Sequence, residues 1–218
     1  MPHPSVDLRP GPPTLAYWLP MVLVLACATG QQVPTPSAAP ASAARLPDSS
    51  GGPPLVPFQG RGGFTVLMPP RPDQSERTEN TRSGPVYVDL IQAGDEMAKY
   101  LASVSEFPKG SLDQARTKDL LDSLQTSTIQ SMHGTVASSH DVEASGMPGR
   151  EFTATDPQGS EVTARIFIGG SSVYTLAGTY PRGDIPAPIR RFLDSFQPPA
   201  ATALNGAAGT KTVKSSAR

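Results

Sequence analysis

The sequence is poor in cysteine and histidine, and this limits the chemistry that it can perform. Its 218 residues include one cysteine, Cys27, and three histidines. A single thiol has no disulfide partner within the chain, so a disulfide framework is excluded. Only His140, Asp141 and Glu143 approach the ligand spacing of a metal site. Because neighbouring residues of a strand point to opposite faces, we predict neither a metal site nor a cofactor.

A long apolar run is also missing. The uncharged stretch at residues 15–26 has twelve residues, whereas a membrane-spanning helix needs about 20. This length, with Arg9 upstream, is typical of the apolar region of a secretory signal. We therefore predict a signal peptide over residues 1–26.

Cys27 directly follows this run, in the sequence Val24-Leu-Ala-Cys27. The motif resembles a bacterial lipobox, in which a diacylglycerol is joined to the cysteine thiol and the chain is cut before it. The resemblance implies a lipid anchor on Cys27. Ala28, where Asp would direct the inner membrane, implies an outer membrane location facing the periplasm. The alternative is simple secretory cleavage at Ala26-Cys27-Ala28.

Composition divides the remainder of the chain into three parts. Residues 27–60 are rich in Pro, Ala, Ser and Gly and are predicted to form an extended linker behind the lipidated cysteine. Residues 61–198 hold nearly all the β-branched and aromatic residues outside the leader, which predicts one domain. Residues 199–218 have almost nothing to bury and are predicted to be disordered.

The predicted domain is acidic. Its 13 Lys and Arg and 17 Asp and Glu give 13 − 17 = −4 over residues 61–198. A nucleic-acid-binding domain normally presents a basic face with interleaved aromatic residues. We therefore expect no nucleic-acid partner.

Alternating apolar residues predict an antiparallel sheet. Val162, Ala164, Ile166 and Ile168 recur at every second position, which is the period of a strand. The predicted strands are 64–68, 86–91, 98–104, 135–142, 150–155, 162–168 and 173–180, with an irregular or edge strand within 71–84. Gly94-Asp95 predicts an antiparallel hairpin, and turn residues between the last three strands predict a meander.

Two helices are predicted where the spacing of apolar residues changes from every second position to every third or fourth position. Ser111 and Gln114 have capping-box spacing, and an apolar stripe continues to Met132, where Gly134 is placed to end a helix over 111–132. A short amphipathic helix is predicted from the spacing of Ile189, Phe192, Leu193 and Phe196. The predicted fold class is α+β: an antiparallel sheet flanked by a long central helix and a short C-terminal helix, an α/β/α sandwich.

This order of elements resembles the PsbP/Mog1-like domains. The matching pieces are Phe64-Thr-Val-Leu-Met-Pro69, the helix 111–132, Gly146-Met-Pro-Gly-Arg-Glu-Phe152, Val173-Tyr-Thr-Leu176 and Phe192-Leu-Asp-Ser-Phe196. They cover nearly all of residues 61–198 and are mostly packing and turn signatures. The resemblance implies a non-catalytic binding or scaffolding domain, and no ligand residue of the family can be matched here.

No catalytic residues are predicted. Ser139-His140-Asp141 contains the residue types of a hydrolase triad, but sequence neighbours cannot form its geometry. The carboxylates at 95–96, 141 and 143 are interpreted as solvated surface charges. His133 is placed in the last turn of the central helix, where a partial positive charge suits the helix dipole.

Two further motifs are interpreted as turns. Gly169-Gly170 precedes a strand and is predicted to be a hairpin turn, not a phosphate-binding loop. Arg182-Gly183-Asp184 matches a tripeptide of adhesion ligands, and we interpret it as a loop in which Asp184 caps the last helix.

The sequence supports one leading hypothesis and two alternatives. We expect a non-enzymatic envelope protein, anchored to a membrane through Cys27, whose domain binds or positions an unknown envelope protein partner. The first alternative is a carrier of a small ligand or metal that uses a cleft between the long helix and the sheet. The second alternative is a hydrolase.

Overall fold

The polypeptide between residues 54 and 200 forms nine strands and two helices in a computed structural model, which describes these residues except 82, 96 and 113–115. The strands are β1 (Val56–Gln59), β2 (Thr65–Met68), β3 (Asp73–Thr81), β4 (Gly84–Gly94), β5 (Lys99–Glu106), β6 (Thr135–Ala144), β7 (Met147–Thr155), β8 (Ser160–Gly169) and β9 (Ser172–Pro181). The helices are α1 (Thr117–Ser131) and α2 (Ala187–Asp194). The predicted signal peptide, Cys27 and the predicted C-terminal tail from residue 201 onward lie outside the described residues. No helix in the described part is long and apolar enough to cross a membrane.

Seven strands form one antiparallel sheet in the order β3-β4-β5-β9-β8-β7-β6, and β1 and β2 form a separate hairpin. β4 and β5 form the predicted hairpin through Gly94, which pairs with Lys99. The predicted meander β7-β8-β9 is present, and β9 joins it to β5 at the centre of the sheet. The fold class is therefore confirmed: an antiparallel sheet with two helices.

Side chains alternate between two hydrophobic layers, one on each face of the sheet. Tyr100 and Val104 pack with α2 and the β1-β2 hairpin, whereas Leu101 packs with α1 on the other face. The same alternation in β8 places Ile166 on the α1 face and Phe167 on the α2 face. The two sides of the sheet are therefore an α1 face and an α2 face.

Helix α1 begins later than the sequence predicts. It starts at Thr117, after Arg116, so its 15 residues span about 22 Å at 1.5 Å per residue. The Ser111 hydroxyl donates to the Pro108 carbonyl oxygen at 2.7 Å and does not cap the helix, while Gln114 lies outside the described residues. The capping-box start at Ser111 is therefore wrong: Ser111 belongs to the preceding turn, where its N–H also donates to the Pro108 carbonyl oxygen, and the N-cap residue of α1 is Arg116.

The end of α1 is a Schellman motif with histidine at its left-handed position. His133 has a φ of +51°, and its N–H donates to the Gln130 carbonyl oxygen at 3.1 Å. The Gly134 N–H donates to the Ile129 carbonyl oxygen at 3.0 Å. These two bonds are the 5→2 and 6→1 bonds of the motif. The helix therefore ends as predicted, but His133, not Gly134, adopts the left-handed conformation.

The His133→Gly substitution is expected to stabilise the domain by about 1 kcal/mol, because glycine adopts positive φ without the steric cost of a Cβ. Chemical denaturation of both proteins measures the change. The matched control is His140→Gly in β6, where glycine should instead destabilise the strand. A loss of stability in His133→Gly would show that the imidazole makes a contact worth more than the backbone strain.

The folded domain begins before residue 61. β1 (Val56–Gln59) lies in the segment predicted to be linker, and it pairs with β2 from Val56↔Met68 to Gln59↔Thr65. Leu55 and Phe58 pack against the core on the α2 face. The Pro and Gly residues around this strand hide it in the sequence, since proline is tolerated on an edge strand.

Candidate functional site

The candidate residues of β6 are divided between the two faces of the sheet. His140 is opposite Glu151, with Nε2 3.9 Å from its carboxylate, whereas Asp141 is opposite Arg150. Ser139 shares the α1 face with Asp141 and donates its hydroxyl to Gln125 Oε1 at 2.7 Å. Ser139, His140 and Asp141 are therefore not brought together as a triad. Within the described ranges, no three His, Cys, Asp or Glu side chains are grouped as metal ligands.

On the α1 face, Arg150 connects helix α1 to the sheet edge. Its Nε donates to Asp141 at 2.7 Å, and its NH1 contacts Asp122 of α1 at 2.9 Å. A hydrogen bond from Lys118, and then one from Arg150, lowers the pKa of Asp122 below its usual value. Asp122 is nearly half exposed, as is usual for a surface ion pair. We therefore interpret the cluster as a structural contact between the helix and the sheet.

The other motif residues lie in turns. Asp95 accepts hydrogen bonds from the Ala98 and Met97 N–H groups, which lower its pKa. Gly170, at a φ of +60°, forms the predicted hairpin turn between β8 and β9. Asp184 does not cap α2: the N-cap residue is Pro186, and no side chain bonds to that helix end. The predicted capping role of Asp184 is therefore wrong.

On the α2 face, four charged side chains form a network of ion pairs across β7, β8 and α2. Arg165 Nε donates to Glu151 Oε2 at 2.5 Å, and Arg165 NH2 donates to Asp194 Oδ1 at 2.7 Å. Arg190 NH1 lies 3.4 Å from the other Glu151 oxygen. The Glu151 and Arg165 side chains are only 8% and 16% exposed. The pairs therefore fix the position of the C-terminal half of α2 over the sheet.

A groove of about 410 Å³ lies beside this ion-pair network, between the end of β6 and the end of α2. The Phe167 and Phe196 rings stack within it, with centroids 5.0 Å apart and planes at 9°. The lining residues are Val142, Glu143, Ala144, Ser145, Arg165, Phe167, Leu193, Asp194 and Phe196. The groove thus combines an aromatic floor with charged and small polar residues, and it is our candidate site.

Gly149 shapes the floor of the groove. It pairs with Val142 on one side and with Phe167 on the other. A Cβ at this position would lie 2.4 Å from Phe167 Cδ1 and 2.6 Å from the Ile166 carbonyl oxygen. Only a residue without a side chain lets the Phe167 ring lie so close to β7, because glycine in a strand permits such close approach.

Sequence reasoning predicted the residues of the floor but missed the groove. The predicted apolar residues Phe192, Leu193 and Phe196 are buried, but α2 ends at Asp194, so Phe196 lies just beyond the helix. Phe167 and Ile166 lie on opposite faces, as the period of a strand requires. The groove depends on three segments that lie far apart in the chain. The available signals were Gly149 in the middle of a strand and a charged residue, Arg165, within an apolar strand.

Comparison with known proteins gives neither a family nor a function. No family model matches the chain, and no curated protein matches it. Among solved structures, it is similar to the cyanobacterial PsbP (CyanoP) of Synechocystis sp. PCC 6803, with a TM-score of 0.46 and 11% identity, over 70% of this chain and 97% of that chain. It is also similar to PA94 of Pseudomonas aeruginosa, a protein of unknown function, with a TM-score of 0.35 and 11% identity, over 61% of this chain and 86% of that one.

Proposed function

We propose that the chain is a non-enzymatic envelope protein, anchored through lipid on Cys27, whose PsbP/Mog1-like domain binds a protein partner at the groove between β6 and α2. The lipobox-like sequence and the Pro-rich stretch behind it support the anchor and the linker. The observation that carries the binding role is the construction of the groove, whose lining residues make stacking and ion-pair contacts. Its proposed location is the outer membrane, facing the periplasm.

The groove is preorganised for binding. Phe167 and Phe196 are held by stacking, and Arg165 is held between two carboxylates. A surface whose side chains are already fixed loses little entropy when a partner binds. These features suit a pocket that receives an anchoring side chain of a partner.

A substitution that fills the groove with a large side chain tests this proposal. Ala144 is half-buried and lines the groove, so Ala144→Trp should fill it and reduce recovery of the partner from detergent-solubilised envelopes about tenfold, a loss of ~1.4 kcal/mol. The matched control is Thr78→Trp on β3, at the opposite edge of the sheet. Equal recovery of the same proteins with both variants would contradict the proposal, as would hydrolysis of a substrate panel that is lost in His140→Ala.

A small-ligand carrier is the second candidate, and the groove volume favours it. A volume of about 410 Å³ falls within the range of roughly 300–1,000 Å³ that is usual for ligand sites. The groove lies on the α2 face, however, and not between the long helix and the sheet as the sequence suggested. Native mass spectrometry of the purified protein distinguishes the candidates, since a carrier should retain a mass that Ala144→Trp removes.

A further inference from the structure

Strand β6 has an unpaired outer edge. It is the last strand of the seven-stranded sheet, and it pairs only with β7 among the described residues. Eight of its ten residues are exposed. A register shift between Val136 and Ser138 interrupts the ladder, so the regular part of the edge is 138–144. Backbone N–H and C=O groups along such an edge can pair with another strand.

The opposite edge of the sheet is better protected. β3 contains four charged residues of both signs among its nine, Asp73, Glu76, Arg77 and Glu79. Arg61 contacts Glu76 at 3.0 Å, and Arg77 contacts Glu79 at 2.8 Å. Charged side chains along an edge discourage strand addition. β6 carries two such residues, Asp141 and Glu143, so it is the less protected of the two edges.

The charges on the α1 face beside β6 leave a net negative charge. Asp141 and Glu143 share the α1 face of the strand by alternation, although Glu143 also borders the end of the groove. Arg150 joins Asp141 to Asp122. With Lys118 and Arg150 as the cations, the cluster has a net charge of 2 − 3 = −1. Like charges on facing strands are destabilising. A second copy of β6 would bring carboxylates together, whereas a strand with Lys or Arg on that face would complement them.

The α2 face of β6 forms part of the groove wall. Val142 and Ala144 both line it and are half-buried. Side chains of an added strand stand about 5 Å from those of its neighbour on the same face. An apolar side chain of that strand next to Val142 would therefore reach the groove above Phe167.

We propose that the edge of β6 over residues 138–144 takes up an extended segment of the partner as an eighth strand, with basic residues on the α1 face and apolar residues on the α2 face. The proposal rests on the proposed function, because it names how the same partner is held. Backbone pairing supplies affinity in such complexes, and alternate side-chain contacts supply specificity.

The test uses the full chain in detergent and three synthetic peptides. The first alternates Lys with Val and Phe over seven residues, the second carries Glu in place of Lys, and the third is the first with alternate backbone nitrogens methylated. Binding is followed by fluorescence anisotropy, and β6 protection is followed by hydrogen exchange. We expect the first peptide to bind about tenfold more tightly than either of the others and to slow exchange in residues 138–144.

Charge reversal provides the matched variants. Glu143→Lys should weaken binding of the first peptide by about tenfold, whereas Asp73→Lys on β3 should leave it unchanged. Equal binding of the methylated peptide, or protection at β3, would overturn the proposal. Protection of β6 that grows with protein concentration in the absence of peptide would overturn it in favour of a second copy. A groove variant that loses the native partner while peptides leave β6 unprotected would refute strand addition and leave the proposed function standing.

Discussion

The Cys27→Ser variant is expected to move from the membrane fraction to the soluble fraction and to lose all labelling by a fatty-acid analogue. Each buried methylene of an acyl chain contributes about 0.8 kcal/mol to membrane binding, so two or three chains make the anchor durable. The serine hydroxyl cannot replace the thiol in the expected thioether. Cell fractionation with metabolic labelling measures both effects.

The neighbouring substitution Ala28→Ser is the control for this experiment. It changes the residue next to the thiol but keeps Cys27 available, so labelling should persist. If Cys27→Ser stays in the membrane fraction without a label, residues 15–26 would have to serve as an uncleaved anchor. If it is secreted and wild type is also unlabelled, simple secretory cleavage would be correct.

The Glu151→Leu substitution is expected to destabilise the domain by about 3 kcal/mol, because it leaves a mostly buried arginine without its main partner. Glu151 is 8% exposed and contacts both Arg165 and Arg190, while Asp194 alone would remain for Arg165. The double variant Glu151→Leu with Arg165→Met should recover much of the loss, since an apolar pair of similar volume can replace a buried ion pair. Urea denaturation of the single and double variants measures both effects.

An exposed ion pair provides the comparison for Glu151. Glu76 pairs with Arg61 on the surface, with side chains 58% and 45% exposed, so Glu76→Gln should cost less than about 1 kcal/mol. A similarly small loss of stability in Glu151→Leu would mean that the ion-pair network does not fix the position of α2. A double variant no more stable than Glu151→Leu would mean that the loss comes from packing and not from an unpaired charge.

The strands could be predicted from the sequence because burial imposes a period of two on them. Val162, Ala164, Ile166 and Ile168 all lie in the layer beneath α1, and Phe167 lies in the other. The start of α1 could not be predicted in the same way. The capping-box pattern at Ser111 is local, but the Ser111 N–H and hydroxyl both donate to the Pro108 carbonyl oxygen and so place this residue in a turn before the helix.

The groove depends on contacts that no local pattern reports. Phe167 and Phe196 are 29 residues apart in sequence, and their stacking depends on β8, on the segment directly after α2 and on the space beside Gly149. The partners of Arg165 are Glu151 on β7 and Asp194 at the end of α2, and β9 lies between Arg165 and α2 in the sequence. Sequence reasoning could recognise these residues as unusual in their strands, but their convergence follows only from the pairing register.

Photocrosslinking in the native envelope tests most directly whether the groove binds a protein partner. A benzoylphenylalanine in place of Ala144, beside the groove, is expected to give a discrete protein adduct on irradiation of intact cells. The same group in place of Thr78 on β3 should give none of that adduct. Absence of a protein adduct at Ala144, or the same adduct from both positions, would contradict a partner site between β6 and α2.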